Sequence, residues 1–287
     1  EFIDNEEAKE LNIESERAKY ASFYSSYNFD HCIYAGYRNW DFDIINDLET
    51  KTDVSEQELE SLARAYSNYA MGFLWSVYGE ASNEKEISRQ PLARCELPSR
   101  ERATAFALYV HKGIEICKKL ERKNPNFQTL VGDIHTKLSG EYMYAYTFLT
   151  YSGNDDLAAV FLADSLYDKY VLASAKNYLK FLKQDAVLFT QGDLDTYPLI
   201  YLQEKFNYRK DVTVLNSGQL QSPAYLNYYT KKSRSVFPSE YSNFYCCKQS
   251  DYINVSNSDN FSQTPINTFW EKLQEIGKDC DATTAGK

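Results

Sequence analysis

From Glu56 to Tyr78 the residues Leu59, Leu62, Ala63, Tyr66, Tyr69, Ala70, Phe73 and Val77 recur at steps of three and four. That period belongs to a helix burying one face, and a strand, which alternates every two residues, cannot use it. Ser55 with Glu58 forms a capping box ahead of it. The spacing returns between Arg100 and Lys123 in Ala103, Phe106, Ala107, Val110, Ile114 and Cys117, with Ser99 as cap and Asn124-Pro125-Asn126 as stop. A third pattern runs from Phe127 through Leu130, Val131, Ile134, Leu138 and Tyr142 to Leu149, and Gly140 is expected to break it into two shorter helices. Asp155 is expected to cap a fourth helix reaching Tyr170, after which Leu172, Ala175, Leu179 and Leu182 continue a similar face to Lys183. The stretch from about Ser15 to Leu48 is helix-like but less regular and rich in aromatics.

At Asp185 the period changes. Ala186-Val187-Leu188-Phe189 reads as a strand, Gln191 to Thr196 as a turn, Pro198 to Phe206 as a helix, and Val212 to Asn216 as a second strand. The connection is long enough for a parallel crossover, which places both carboxyl ends on one side of a sheet. Beyond Gln221 come Pro223, Pro238 and Pro265 among many Tyr, Asn and Ser residues, a loop-rich composition closed by a short helix from Thr268 to Ile276 and a frayed tail. The expected fold class is α+β, mostly α: antiparallel helical pairs over residues 1–183, then a small α/β module over 184–287.

The charge balance narrows the partners. Thirty-one basic against 41 acidic residues give a net charge of -10, a field that repels nucleic acid and acidic lipid headgroups. Lys118, Lys119, Arg122 and Lys123 gather at a helix end, where they complement the macrodipole. No run approaches the roughly eighteen apolar residues of a membrane helix, so no span is expected.

Six cysteines are too sparse for a disulfide scaffold, and no C-x-x-C pair suggests zinc or dithiol chemistry. Cys32, Cys95 and Cys117 lie on or beside apolar helical patterns as small hydrophobes, while Cys246 or Cys247 could pair with Cys280 in an oxidising compartment. The chain opens at Glu1, which fits a processed start with a signal sequence removed, and the expected location is periplasmic or secreted. Asn254 and Asn260 match the glycosylation triplet, in a composition where such matches arise by chance.

Helices of this length joined by Asn, Gly and Pro connections resemble tetratricopeptide repeats in degenerate form; the full signature cannot be laid over any pair, and residues 80–98 are too long for the repeat's turn. A second resemblance rests on the segment from about Leu172 to Leu220. Its core, Asp185-Ala-Val-Leu-Phe-Thr-Gln-Gly-Asp-Leu-Asp-Thr-Tyr-Pro-Leu-Ile-Tyr-Leu-Gln-Glu204 with Tyr208-Arg-Lys-Asp-Val-Thr-Val-Leu-Asn216, resembles the soluble C-terminal part of multi-spanning membrane proteins related to protein O-mannosyltransferases, common in Bacteroidetes. Those proteins usually read G-D-N-D-T-F-P-L-W-Y at the turn; here Leu194 replaces Asn, Tyr197 replaces Phe and Ile200 replaces Trp. Their sugar transfer is expected in a membrane-embedded part that this sequence lacks. The resemblance therefore implies a cell-envelope setting without transferase activity.

Asp193 and Asp195 flank the turn at the carboxyl end of a strand, the edge where open α/β sheets bind ligands, and Thr196, Asn216 and Ser217 should emerge beside them. Two carboxylates could hold Mg²⁺ or Ca²⁺ through oxygen, although two acids alone supply few ligands. The structural account is that Gly192 takes an unusual backbone angle, Asp193 bonds turn amides, and Asp195 or Thr196 caps the helix that Pro198 begins. His31, His111 and His135 never take the i, i+4 spacing of a helical zinc site, and no hydrolase elbow, Walker loop or dinucleotide glycine pattern occurs. No catalytic residue is assigned. Twenty-five tyrosines, among them Tyr20, Tyr24 and Tyr27 with Phe23, and Tyr142, Tyr144 and Tyr146, exceed what one core needs and suit peptide or carbohydrate contact. The sequence thus reads as a non-catalytic envelope scaffold for a protein or peptide partner. The alternative is a divalent-metal-dependent enzyme handling carbohydrates or nucleotide sugars through Asp193 and Asp195.

Overall fold

The computed structural model describes residues 40–74, 97–220 and 223–232. The expectations for Cys32, Cys95, Cys246, Cys247 and Cys280, His31, the glycosylation triplets, the Tyr20–Tyr27 cluster, the end of the first helix at Tyr78, the insertion after residue 80 and the closing helix from Thr268 lie outside these residues.

α1 (Trp40–Leu48) is followed by α2 (Glu56–Leu74) and α3 (Arg100–Lys123). The capping box forms as the sequence predicts: the Ser55 N–H donates to Glu58 Oε2 at 2.8 Å and the Glu58 N–H donates to Ser55 Oγ at 3.2 Å. Lys51 donates to the same Glu58 carboxylate, and these bonds hold its pKa down at about 2. Cross-links fix the direction of α2 against α3. Arg102, in the first turn of α3, donates from Nε to the carbonyl of Phe73 near the end of α2 at 2.7 Å. At the opposite ends Lys123 Nζ reaches the Val54 carbonyl at 3.1 Å, and Asn124 Nδ2 reaches Glu56 Oε2 at 2.8 Å. The two helices are therefore an antiparallel pair. Tyr69, Phe73 and Tyr109 fill the seam, with the Phe73 and Tyr109 rings 5.5 Å apart and nearly parallel. Gly113 sets its closeness, since a Cβ there would lie 3.1 Å from the Ala63 carbonyl oxygen.

Two expectations for the next segment are corrected. Residues from Phe127 onward do not begin a helix but form a small antiparallel hairpin, β1 (Gln128–Thr129) and β2 (Gly132–Asp133). Gly132 takes a φ of 126° that a side chain resists, and the Thr129 hydroxyl donates to its carbonyl at 2.8 Å. Leu130 and Val131, read as part of a buried face, sit exposed at the tip. The helix starts only at α4 (Ile134–Tyr151), with Asp133 Oδ1 accepting the Thr136 N–H at 2.7 Å. Gly140 does not break it. A mid-helix glycine costs about 1 kcal/mol, and the buried neighbours Ile134, Leu138, Met143, Ala145 and Leu149 outweigh that. Lys137 and Glu141 pair one turn apart on α4, and the second Glu141 oxygen accepts from Ser67 of α2 at 2.6 Å.

The chain divides between Ala145 and Tyr146, within α4, into two compact units. This division by packing differs from the change of hydrophobic period near residue 183, which separates kinds of secondary structure. In the second unit the fourth helix ends early. α5 (Asp155–Ala158) passes into a 3₁₀ turn, Ala159–Phe161, and a new helix, α6 (Lys169–Lys180), begins after Ser165 has turned to a φ of 57°. Asp168 caps α6 by accepting the N–H groups of Tyr170 and Val171 at 2.6 and 2.9 Å. Tyr170, placed by periodicity on a buried face, is 74% exposed.

β3 (Val187–Thr190), α7 (Asp193–Phe206) and β4 (Thr213–Asn216) form the predicted parallel crossover, in register from Val187 opposite Thr213 to Thr190 opposite Asn216. Ala175 and Leu179 of α6, Leu199 and Leu202 of α7, and Val212 and Val214 make the core of this module. The molecule is α+β and mostly helical. α7 starts five residues before Pro198, which correct the expected cap: Gly192 is the N-cap, and Pro198 lies inside the helix. Proline cannot bond the carbonyl one turn back, a loss outweighed by the buried run from Tyr197 to Leu202. A 3₁₀ turn, Ser217–Gln219, and α8 (Pro223–Lys232) complete the described chain.

Candidate functional site

The carboxyl ends of β3 and β4 bring Thr190 and Asn216 side by side, and the first turn of α7 begins three residues beyond Thr190. Gly192 makes the bend, with a φ of 86° and a ψ of 170°, a region for glycine alone. The hydroxyls of Thr190 and Thr196 are 2.7 Å apart, and Thr196 donates to the Gly192 carbonyl at 2.6 Å. Each hydroxyl has one proton, so Thr190 donates either to Thr196 or to the Leu215 carbonyl, which lies 3.2 Å away. Buried Asn216 joins both sides: Oδ1 accepts the N–H of Gly218 at 3.0 Å and of Gly192 at 3.4 Å, and Nδ2 donates to Asp193 Oδ1 at 3.2 Å. Its own N–H donates to the hydroxyl of fully buried Tyr225 at 2.7 Å.

Of the residues singled out in the sequence, Asp193, Thr196 and Asn216 therefore meet in one network. Asp195 is exposed on the next part of the helix turn, and Ser217 opens the 3₁₀ turn, where its carbonyl accepts the Leu220 N–H at 3.4 Å. Surrounding protein removes water from the Asp193 carboxyl and pushes its pKa up, against hydrogen bonds from Tyr197 and Asn216 that lower it. Thr190, Tyr197 and Tyr225 were missed. Thr190 could have been found as the last strand residue facing the helix start; Tyr225 lies in a stretch whose composition reads as loop.

Asp193 and Asp195 both stand in the first turn of α7. Residues two apart on a helix point about 160° away from each other, whereas carboxylates on an extended turn can converge. Among the described residues no group of three or more His, Cys, Asp or Glu side chains is arranged to hold a metal ion.

The second stretch that carried the resemblance, Tyr208-Arg209-Lys210-Asp211, closes the module from the other end. Arg209, itself at a φ of 51°, places Nη1 2.7 Å from the Leu179 carbonyl and Nη2 3.0 Å from those of Leu182 and Lys183. Asp211 takes the remaining face of the guanidinium, at 2.8 Å from Nε and 2.7 Å from Nη2. The fork thus satisfies carbonyls left open where α6 ends. Gln203 Nε2 adds bonds to the carbonyls of Arg209 and Val212 at 2.9 and 2.7 Å. Glu204 receives Lys210 and Lys232, which hold its pKa below the ordinary value although burial opposes them.

Several of the described tyrosines build the core. Tyr201 and Tyr225 are fully buried, and Tyr151, Tyr225, Tyr228 and Tyr229 form one ring cluster with centroids 4.7 to 6.0 Å apart. A cavity of about 260 Å³ opens beside it, walled by Thr150, Tyr151, Asn227, Tyr228 and Lys232 among others. Cys117 is buried, which pushes its thiol up to about 12 and makes it an inert core residue. His135 lies on the surface, 3.1 Å from Glu121.

These features define an α+β protein whose parallel crossover is locked at both ends by polar side chains bonded to backbone. Residues 171–285 match the family model described as TMEM260-associated domain 2. The segment whose turn and second strand carried the resemblance lies within that range, so this part of the chain is similar to a domain of TMEM260-related proteins. Comparison with curated proteins and with solved structures gives no match. No described helix is long and apolar enough to cross a membrane.

Proposed function

We propose that the chain is a non-catalytic part of a cell-envelope protein, in which helical pairs and the crossover module form a scaffold for a protein or peptide partner. One observation carries the reading: Thr196, Arg209, Asp211 and Asn216 of the resembling motif are engaged in architecture. Asn216 and Thr196 tie the strand edge to the start of α7, and Arg209 and Asp211 tie β4 to the end of α6. A motif used this way specifies shape and leaves binding to the surface. The similarity to a TMEM260-associated domain supports the envelope setting, and the antiparallel pairing of α2 with α3 supports the scaffold. The periplasmic or secreted location and an origin among Bacteroidetes belong to this proposal.

The second reading, an enzyme handling carbohydrates or nucleotide sugars with Mg²⁺ or Ca²⁺, draws on the position of Asp193 at the strand edge and the upward shift of its pKa. Titration calorimetry with Mn²⁺, Mg²⁺, Ca²⁺ and a nucleotide sugar separates the two. The scaffold reading expects no heat of binding. Saturable binding abolished by Asp193→Ala or Asp195→Ala, in variants that keep their helical circular dichroism, would replace it with the enzyme.

A further inference from the structure

α6 carries a face that the scaffold's own core leaves uncovered. Ala175 and Leu179 point into the module, while Tyr170, Tyr178 and Phe181 are 74%, 67% and 80% exposed. At about 100° per residue, positions 170, 178 and 181 fall within one 80° arc on the side away from the core, spread over roughly 16 Å of helix axis. Lys169, Lys176 and Lys180 lie together on the adjoining outer arc. Lys169 sits 5.1 Å from the Tyr170 ring centroid and Lys180 sits 5.5 Å from that of Phe181. Lys176 lies over Tyr208 at 5.2 Å. None of the three pairs with a carboxylate among the described residues. From Lys169 to Gln184 the sequence has four lysines and no acid.

Exposed rings rimmed by unpaired lysines are the composition of a surface that enters the headgroup layer of a bilayer: the rings bury their apolar faces, and the lysines reach anionic phosphates. The net charge of -10 does not cancel this. Charges more than about 8 Å away are screened at physiological ionic strength, so the local lysines govern the contact. Three acids of this module are already engaged. Asp168 caps the helix, Asp211 holds Arg209, and Asp164 pairs with Lys205. Arg209 also pins the last carbonyls of α6, so the face is presented by a helix end already fixed in place.

We propose that the Tyr170, Tyr178 and Phe181 face of α6, with Lys169, Lys176 and Lys180, docks this protein onto an anionic lipid bilayer. The inference goes beyond the scaffold reading and does not require it. The test is co-sedimentation of the full chain with vesicles of phosphatidylcholine alone and with about one-third phosphatidylglycerol. Binding is expected to the anionic vesicles only and to weaken as salt rises. The variant K169Q/K176Q/K180Q should lose roughly fivefold per lysine, about 100-fold together, and Y170S/Y178S/F181S should abolish sedimentation, both with wild-type circular dichroism. The salt and lipid dependence of the wild-type chain tests the proposal even if a variant misfolds. Failure to bind anionic vesicles, equal binding to neutral ones, or folded variants that bind as the wild type does would overturn it. Retention on immobilised polyglutamate without vesicle binding would assign the face to an acidic protein and overturn it equally.

Discussion

Replacing Asn216 by alanine should unlock the strand edge, and the structure bounds the effect. The side chain is almost fully buried and makes three bonds. Its oxygen caps the 3₁₀ turn through the Gly218 N–H, an interaction of the N-cap kind that contributes about 1 kcal/mol. The bond to Asp193 is charge-assisted but long at 3.2 Å, and that carboxylate also accepts from Tyr197, so about 1 kcal/mol is again appropriate. The bond to Gly192 is long and adds little. The sum is about 2 kcal/mol, with the cavity left by the side chain raising it toward 3. Urea unfolding followed by circular dichroism should show a lower midpoint with an unchanged slope. Asn216→Asp makes a sharper comparison, because it keeps the acceptor for Gly218 but sets a second carboxylate against Asp193. It should be the weaker of the two variants at neutral pH and recover in acid, where one carboxyl of the pair holds a proton. A change below about 0.5 kcal/mol for Asn216→Ala, or an Asn216→Asp deficit independent of pH, would refute the view that this network holds the crossover together.

Three further outcomes follow from the same geometry. Gly192→Ala should cost about 1–3 kcal/mol by backbone strain alone, since a Cβ there meets no atom within 4 Å, and a midpoint equal to wild type in the same urea assay would show that the bend relaxes. The folded Asp193 carboxyl keeps its proton to a higher pH than the unfolded one, ordinarily near 3.8, so its contribution to stability is full below that value and is lost as pH rises through the folded pKa. Asp193→Asn should remove this pH dependence, and unfolding midpoints that fall with the same slope in both proteins would contradict the assignment. Cys117 should resist a thiol reagent in the native protein and react at an ordinary rate in urea, because burial both blocks access and pushes its thiol up to about 12; rapid native labelling at this residue, mapped by mass spectrometry, would be inconsistent with its place in the core.

Local period and capping chemistry were legible residue by residue. The steps of three and four set α2 and α3, Ser55 with Glu58 and Ser99 marked where they begin, and the two β-branched runs around residues 187 and 213 identified a parallel crossover. The misread elements share a cause. Leu130 and Val131 continue an apolar helical pattern on paper, but the φ of Gly132 and the Thr129 hydroxyl close a hairpin there. Leu166 and Tyr170 likewise fit one face, yet Ser165 reverses the chain and Asp168 starts a new helix. Pattern reading counts apolar residues and cannot weigh a single positive φ against them. At the candidate site the strand edge located Asp193, Thr196 and Asn216, whereas Tyr225 and the clamp made by Arg209 join residues nine to thirty positions apart, beyond any local signal.

By itself the sequence determined α2, α3, the parallel crossover and which edge of that crossover carries polar side chains, because periodicity and caps act over one or two turns. Only the tertiary structure decided what those side chains do. Starting α7 at Asp193 turns the two aspartates apart, brings Asn216 against the first, and commits Arg209 to the end of α6. It also separates the tyrosines that build the core from Tyr170 and Tyr178, which share the outer arc of α6 with its lysines. The physical reason is direction: a side chain's chemistry is written in the sequence, but whether it meets a partner, a backbone carbonyl or water depends on where the packed helix points it.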